Sequence, residues 1–296
     1  MEPVVQTLTA RSVAAPRGVC RRWLSGFGLS GLLGLAVLTL WILAALFGPA
    51  MLSGTMGGSG SNAVFAPISA MHWLGTDYLG RDMLVRVIHG ARYTVGVALV
   101  ATLIASGTGT LLALLAASGS QALDATLSRG LDTLTAIPSK MFALIMVAGF
   151  GSSVAMLVAT AAIIYAPGAF RMARSLAVNI NALDYVVVAR TRGEGTLYIM
   201  LREIFPNILG PMLSDLGLRF VYVVLLLASL SFLGLGIQPP SADWGSLVRE
   251  NIAALPDAGA SVIIPALAIA SLTIAVNLVI DNLPGRAARE RSRGAH

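Results

Sequence analysis

The sequence predicts an all-α polytopic membrane protein with six transmembrane helices and with both termini in the cytoplasm. Composition is the first observation, because 56% of the 296 residues are hydrophobic and only 11% are charged, whereas soluble domains carry roughly 25% charged residues. The second observation is the presence of six long apolar segments. The third is an unequal distribution of arginine among the segments that connect them. Together these features argue against a soluble globular protein.

Each apolar segment is long enough to cross most or all of a bilayer, since about 20 helical residues at ~1.5 Å per residue span ~30 Å of hydrocarbon. The first segment follows a basic tail, as in a signal peptide. It is, however, longer than the apolar region of a typical signal and has no convincing A-x-A cleavage site, so we interpret it as an uncleaved span. The predicted spans are 24–47, 93–117, 134–150, 154–170, 208–232 and 262–280.

The arginines set the predicted orientation. With the N terminus inside, both tails and the long connection 171–207 place their arginines in the cytoplasm, as the positive-inside rule expects. Only four arginines then face outward: Arg81, Arg86, Arg92 and Arg249. The predicted organisation is a cytoplasmic basic tail (1–22), the first span with its outward loop (23–71), a core (72–282) and a second cytoplasmic basic tail (283–296).

Two connections carry more pattern than a plain spacer. From residue 72 onward, apolar residues recur at helical spacing beside charged ones, which predicts an amphipathic helix near the outer membrane face. The Gly- and Ser-rich stretch before it, 54–62, should be mobile. The inward connection 171–207 predicts a helix, a turn at Gly193 and Gly195, and a second helix closed by Pro206. Because so long a connection is uncommon, the pattern favours docking of a partner over a mere spacer.

The sequence shows no motif for ATP binding or hydrolytic chemistry. Lys140 is the only lysine and lies in no G-x-x-x-x-G-K-[ST] loop, so another chain must bind ATP if ATP drives this protein. The histidines and the single cysteine show no metal-ligand spacing, and no G-x-S-x-G motif occurs. We therefore predict no catalytic residues, no metal site and no enzyme activity. The distribution of the arginines also argues against nucleic-acid binding.

Three charged residues lie within predicted spans. Asp215 and Arg219 are four positions apart on one helix, so a mutual ion pair would lower the cost of placing either in the membrane. Structural pairing and lining of a translocation path both remain open for this pair. Lys140 lies about one turn inside the third predicted span, where it either snorkels toward the cytoplasm or faces protein or water. All three residues are candidates for the path.

Four stretches together resemble one family: HWLGTDYLGRD at 72–82, LDTLTAIPS at 131–139, IFPN at 204–207 and SFLGLGIQPPSADWG at 231–245. They are similar to the permeases of the dipeptide, oligopeptide and nickel ABC importers, specifically to the C type of the two permease subunits. The similarity extends from about residue 72 to residue 281. A secondary transporter that works without ATP is a less favoured alternative, because such folds usually show internal repeats, and no convincing repeat occurs here.

In that family the inward loop contains the EAA pattern, a short helix with a glycine and a later proline, which fits a groove of the ATP-binding subunit. Gly193 and Pro206 have the family's spacing. The chain departs from the pattern at Val187 and Val188, which occupy its first two positions. The resemblance implies that coupling to the ATP-binding subunits involves Asp184, Tyr185, Ala189, Arg190, Gly193, Pro206 and Asn207.

The resemblance also implies partners, a location and a mechanism. The partners are a second permease subunit that completes a heterodimer, two cytoplasmic ATP-binding subunits that bind ATP and Mg, an extracytoplasmic solute-binding protein, and membrane lipid. The location is the bacterial cell (inner) membrane. Alternating access driven by the ATP-binding subunits would move the cargo. Di- or oligopeptides are the expected cargo, with nickel or a metal chelate as the alternative.

Overall fold

The computed structural model describes residues 28–52, 63–256 and 259–283. Within these ranges the chain is helical, apart from connecting segments and an isolated β-bridge between Thr76 and Asp82. The predicted tail 1–22, the stretch 54–62 and nearly all of the tail 283–296 lie outside the described residues. The helices are α1 (Leu29–Met51), α2 (Met83–Ser118), α3 (Gln121–Thr135), α4 (Ser139–Phe150), α5 (Val154–Asn181), α6 (Asp184–Thr191), α7 (Thr196–Phe232), α8 (Trp244–Asn251) and α9 (Ala260–Asp281).

In the described ranges, α1, α2, α5, α7 and α9 are each long and apolar enough to cross a membrane. The pair α3 and α4 meets the same requirement together but is bent by 81°. The predicted all-helical membrane fold is confirmed, and six spans are reached when the bent pair counts as one. A single straight span at 134–150 is wrong. Pro138 disfavours helical geometry at Ile137, and α4 begins only at Ser139.

The predicted amphipathic helix near residue 72 is also wrong. Residues 72–82 form a loop, and the pattern from Met83 onward belongs to the first turns of α2, a helix of 36 residues. The Asp82 carboxylate caps α2 by accepting hydrogen bonds from the backbone N–H groups of Leu84 and Val85, which explains why the helix begins there. At ~1.5 Å per residue α2 is about 54 Å long, so part of it extends beyond the hydrocarbon core.

Helices α2 and α5 form the most extensive helix contact. Gly109 makes their close approach possible, since a Cβ atom there would lie 2.6 Å from both the Ala166 carbonyl oxygen and the Ala169 Cβ. Small residues are how membrane helices commonly reach such contact. One buried apolar cluster lies along the first half of α2 and includes Trp244. A second lies at the last turns of α2 and includes Phe170.

Helix α7 joins the connection 171–207 directly to the fifth span. The prediction that Pro206 closes a separate cytoplasmic helix is wrong, because α7 continues through this proline without interruption. A π-helical segment, Ile199–Ile204, comes just before it. The wider hydrogen-bond spacing of a π-helix accommodates the missing N–H of the proline. Motion at the start of α7 can therefore be transmitted along one helix into the membrane.

Candidate functional site

Helix α6 has a buried side and an exposed side. Val186 and Ala189 are buried, and Val186 belongs to the apolar cluster at the last turns of α2. Tyr185, Val187 and Val188 remain about half exposed. The buried residues hold α6 on the bundle, while the other three leave an apolar surface uncovered.

A tight turn connects α6 to α7. Gly193 has a φ of +85°, a conformation that residues with a side chain rarely adopt. Its N–H donates a hydrogen bond to the Arg190 carbonyl oxygen at 2.9 Å. The Arg190 guanidinium in turn donates to the Asn181 side-chain oxygen at 2.7 Å, which ties α6 to the end of α5. The turn expected at Gly193 is present, and its backbone conformation explains why glycine occupies this position.

Tyr185 and Asn207, 22 positions apart, come together next to Pro206. The Asn207 amide donates hydrogen bonds to the Tyr185 hydroxyl at 3.2 Å and to the Glu203 carbonyl oxygen at 2.6 Å. Asp184 lies in the first turn of α6, where a carboxylate interacts favourably with the helix dipole. All the residues expected to couple the chain to its partners therefore lie in α6, in the turn, or in the first turns of α7.

The turn carries more exposed apolar surface than the sequence motifs indicate. Side chains that are 42–66% exposed form what we call the turn patch: Tyr185, Val187, Val188, Leu197, Tyr198 and Leu201. Val187 and Val188 are departures from the family pattern, yet they belong to this patch. The available sequence signal is a run of valines beside the charged residues Arg190 and Arg192. Exposed apolar side chains gathered in this way are typical of a surface that a partner covers.

A cavity of about 310 Å³ opens between α4, α5 and α7. Its lining includes Ile137 at the α3–α4 break, Ser139 from α4, Tyr165 from α5, and Arg219 and Tyr222 from α7. The Tyr165 and Tyr222 rings stack with their centroids 6.5 Å apart. Broken helices beside a cavity are a recurring way for transporters to present polar groups within the membrane. Sequence analysis missed both tyrosines, because no local pattern separates them from core residues.

Arg219 is 8% exposed, and each of its three guanidinium nitrogens donates one hydrogen bond. Two of its nitrogens donate to the two Asp215 carboxylate oxygens at 2.6 and 3.1 Å, and the third donates to the Tyr165 carbonyl oxygen at 2.9 Å. The ion pair expected from the spacing is therefore present. Such bidentate pairing fixes the orientation of the guanidinium. Arg219 lines the cavity, whereas Asp215 is not among the lining residues.

Lys140 does not line the cavity. It is exposed in the first turn of α4, directly after Ser139. Because the third span is broken at residues 136–138, Lys140 lies at the start of a short helix instead of one turn inside a straight span. The structure thus brings Asp215 and Arg219 together, and Lys140 forms no ion pair with Asp215.

At the other end of α2, charged side chains are buried against one another. We call this group the ion-pair clamp: Asp77, Arg81, Arg86 and Glu250. The fully buried Asp77 accepts a hydrogen bond from Arg81 Nε at 2.7 Å, and Arg86 donates to Glu250 at 2.6 Å. Burial raises the pKa of the Glu250 carboxyl, while Arg86 and Arg81 act in the opposite direction. The clamp joins the 72–82 loop, α2 and α8.

Trp244 packs near the start of α2, at the same end of the molecule as the ion-pair clamp. Its side chain is fully buried, its indole N–H donates a hydrogen bond to the Val87 carbonyl oxygen at 2.8 Å, and the Trp41 ring packs edge-on with centroids 4.6 Å apart. The backbone N–H of Trp244 also donates to the Thr94 hydroxyl at 3.0 Å. The stretch 231–245 therefore contacts the first half of α2 through Trp244, and the stretch 72–82 contacts the neighbouring α8 through Arg81 and Tyr78.

Metal-ligating side chains are scattered in the part of the chain that the structure describes. No group of three or more His, Cys, Asp or Glu residues there is placed to hold a metal ion. His72 contacts the Asp82 carboxylate at 3.0 Å, and His89 hydrogen-bonds the Leu52 backbone.

A bundle of membrane-spanning helices, with a cavity at a broken span and an exposed apolar turn at one end, has the architecture of a membrane transport permease. The chain belongs to the family described as the binding-protein-dependent transport system inner membrane component, whose model matches residues 109–289. It is a multi-pass protein of the bacterial inner membrane. The resemblance to the C-type permeases of ABC importers is confirmed.

Several relatives match most of the chain. A putative peptide transport system permease protein of Brucella suis is 33% identical over 85% of this chain and 84% of its own length. The dipeptide transport system permease protein DppC of Alkalihalophilus pseudofirmus is 32% identical over 85% of this chain and 83% of its own. The di/tripeptide transport system permease protein DppC of Pseudomonas aeruginosa is 36% identical over 71% of this chain and 69% of its own.

Proposed function

We propose that the chain is the C-type permease subunit of a peptide ABC importer and forms half of its translocation path. The assignment of peptides as the substrate rests on the similarity, over 85% of the chain, to permeases named for peptides and dipeptides. A second permease subunit completes the path as a heterodimer, and an extracytoplasmic solute-binding protein delivers the peptide. The chain itself supplies a path and no catalytic group.

The turn between α6 and α7 is the proposed contact with two cytoplasmic ATP-binding subunits, which bind the ATP and Mg. The exposed turn patch supports this assignment, because a groove on a partner would cover its apolar side chains. Gly193 shapes the turn, and the buried Ala189 positions α6. Arg190 and the Tyr185–Asn207 pair brace α6 against α5 and α7. Asp184 remains exposed for the partner.

The continuity of α7 supports the proposed coupling mechanism. Because α7 passes through Pro206 into the fifth span, a displacement of the turn by the ATP-binding subunits would move Asp215 and Arg219 as part of the same helix. This is the rigid-body movement that alternating access requires. The cavity wall would thus respond directly to events at the turn.

The cavity beside the α3–α4 break is the proposed part of the translocation path that this chain contributes. Arg219 places a cation at the cavity wall, where a guanidinium can meet a peptide carboxylate. Tyr165 and Tyr222 offer ring faces to peptide side chains. Arg171 also lines the cavity and adds a second cation. Lys140, exposed and next in sequence to the lining residue Ser139, adds a third. Asp215 holds Arg219 in position, and the two guanidinium N–H groups that form no hydrogen bond remain for a peptide carboxylate.

The distribution of arginine supports an orientation in which both termini and the connection 171–207 are cytoplasmic and the ion-pair clamp faces outward. The permease core 72–282 is then flanked by cytoplasmic basic tails. In a Cys20→Ser background, Arg190→Cys should react with a membrane-impermeant maleimide only from the cytoplasmic side. Labelling of this position from the outside of intact cells contradicts the orientation.

Peptide uptake by the complete complex tests the proposed substrate. The two permeases and the ATP-binding subunits are reconstituted in proteoliposomes, with the solute-binding protein on one side and ATP on the other. We expect labelled di- and tripeptides to accumulate only when ATP is present, and Arg219→Lys to lower the rate, because lysine loses the bidentate geometry. Uptake of nickel without peptide would replace the proposed cargo with a metal ion.

A further inference from the structure

A second cavity, of about 420 Å³, lies where α1 ends and α2 begins. We call it the cationic pocket; its lining includes Pro49, Arg86, His89, Arg92, Tyr93 and Ser241. It shares no lining residue with the cavity beside the α3–α4 break. In the described part of the chain, no acidic side chain is among its lining residues.

The cationic pocket has positive charge and hydrogen-bond capacity that neighbouring groups leave unused. Arg86 is countered by Glu250, but Arg92 forms no ion pair within the described ranges and is exposed. His89 contacts the Leu52 backbone and leaves its Nε2 buried without a partner among the described residues. An anion in the pocket would pair with Arg92.

The two hydroxyl groups in the pocket add a further donor. The Tyr93 and Ser241 hydroxyl oxygens lie 2.8 Å apart and share one hydrogen bond. Because each hydroxyl carries its own proton, the one that accepts in this bond can still donate to a ligand. Guanidinium and hydroxyl donors on one wall can bind a phosphate group through several of its oxygens.

The surface next to the cationic pocket is apolar. Helix α1 is a candidate membrane span with only 11% of its apolar window buried in the chain. In the turns around Pro49, the side chains of Leu46, Phe47 and Met51 are 57–82% exposed. The pocket therefore opens where a lipid-facing helix ends, at the boundary between hydrocarbon and water. A soluble anion would match the charges alone, whereas a lipid with an anionic headgroup would match both parts of the surface.

We propose that the cationic pocket binds the phosphodiester headgroup of an anionic phospholipid, with its acyl chains lying along the exposed side chains at the end of α1. Arg92 supplies the uncompensated charge, and the Tyr93–Ser241 hydroxyl pair supplies a donor to the phosphate oxygens. The proposal requires only that α1 and α2 lie in a membrane, so it stands independently of the transported cargo. An anionic lipid held there would bridge α1, α2 and the segment 240–242.

Photo-crosslinking locates such a lipid. The complete complex is equilibrated in mixed micelles with phosphatidylglycerol that carries a diazirine near the headgroup end of one acyl chain, and the adducts are mapped by mass spectrometry. We expect labelling of the last turns of α1 and the first turns of α2. Arg92→Gln should lower this labelling about fivefold, which corresponds to the contribution of one arginine near an anionic surface, and Arg92→Lys should retain most of it.

A matched control and two competitors complete the experiment. Arg129→Gln removes another exposed arginine, on α3, and should leave the labelling unchanged; thermal unfolding checks that all variants remain folded. Unlabelled phosphatidylglycerol should compete, whereas phosphatidylcholine should not. Labelling that persists in Arg92→Gln, or that phosphatidylcholine displaces equally well, overturns the proposal. Displacement by millimolar inorganic phosphate also overturns it, because the occupant would then be a free anion. Loss of the sister permease from the Arg92→Gln complex would instead identify a protein contact.

Discussion

The two ends of α2 differ in how their charged and apolar side chains are satisfied. Near the start of α2, the ion-pair clamp buries four charges against one another, and Trp244 has its indole N–H bonded and both ring faces covered. Near the end of α2, the turn patch leaves six apolar or aromatic side chains exposed. The charges of the clamp are paired within this chain, whereas the turn patch presents apolar surface that the described residues do not cover.

This difference indicates which end of α2 depends on partner proteins. Removing one member of a buried ion pair is costly because the other charge is left unpaired, whereas exposed apolar groups gain from being covered by another protein. Substitutions near the clamp should therefore act on folding. Substitutions in the turn patch should act on assembly and transport, with little effect on folding.

The largest expected effect on stability is that of Trp244→Ala. Removing a fully buried tryptophan leaves a large cavity, so the free energy of unfolding of the detergent-purified complex should fall by about 3–5 kcal/mol. Trp73→Ala serves as the matched control, because that ring is 69% exposed. Thermal unfolding midpoints measure both variants. Equal shifts for the two tryptophans would remove the distinction between a filled core and a surface ring.

Asp77→Asn should have the next largest effect. The carboxylate accepts hydrogen bonds from the backbone N–H groups of Leu79 and Arg81 and pairs with two guanidinium groups. Removing one charge from a buried ion pair costs about 3–5 kcal/mol, reduced here because asparagine keeps one acceptor oxygen. Denaturant titration should show this loss, with the exposed Asp132→Asn as control. An unchanged midpoint for Asp77→Asn would mean that the clamp does not stabilise this end.

Gly193→Pro should affect stability less and transport more. Proline fixes φ near −65° and cannot reach +85°, it disfavours the helical conformation of Arg192, and it removes the N–H that bonds Arg190. The backbone strain amounts to about 1–3 kcal/mol, confined to the turn. We expect normal membrane levels of the subunit and loss of peptide uptake by the reconstituted complex.

Gly195→Pro is the matched control for that prediction. Gly195 has a φ of −71°, which proline adopts without strain, so uptake should stay near the wild-type rate. Normal uptake by both variants would show that the turn is only a connector. Loss of uptake in both would mean that the conformation at Gly193 is not the cause.

Val188→Asp should leave stability almost unchanged, within about 0.5 kcal/mol, because the side chain is half exposed. A partner that covers the patch would bury the new charge without a counterion, and a tenfold weaker affinity corresponds to about 1.4 kcal/mol. Titrated co-purification of the ATP-binding subunits measures this, with Val188→Ile as the conservative control. Unchanged affinity in Val188→Asp would remove Val188 from the contact.

Much of the fold could be predicted because membrane spans leave a local pattern. Continuous apolar segments indicated where helices cross, and the i,i+4 spacing indicated the ion pair between Asp215 and Arg219. The start of α2 was misplaced because helical periodicity in 72–89 hid a loop that ends at the Asp82 cap. The helix end assigned to Pro206 was wrong because the π-helical turn before it depends on tertiary packing.

The candidate site was only partly predictable because its contacts join distant positions. The Gly193 turn follows from local residue types, but the Tyr185–Asn207 hydrogen bond spans 22 positions. The Arg86–Glu250 pair spans 164 positions, and no local spacing indicates either. The exposure of Val187 and Val188 could not be predicted either, since a run of valines is ordinarily expected in a core.

Site-specific crosslinking tests directly whether the turn patch contacts an ATP-binding subunit. A photoreactive benzoylphenylalanine replaces Val187 in the complete complex, and the same residue replaces Leu46 on α1, which is 67% exposed, as a control. We expect a covalent adduct between position 187 and an ATP-binding subunit, and no such adduct from position 46. An adduct from position 187 with lipid or with the solute-binding protein, and none with an ATP-binding subunit, would contradict the assignment of this turn as the coupling surface.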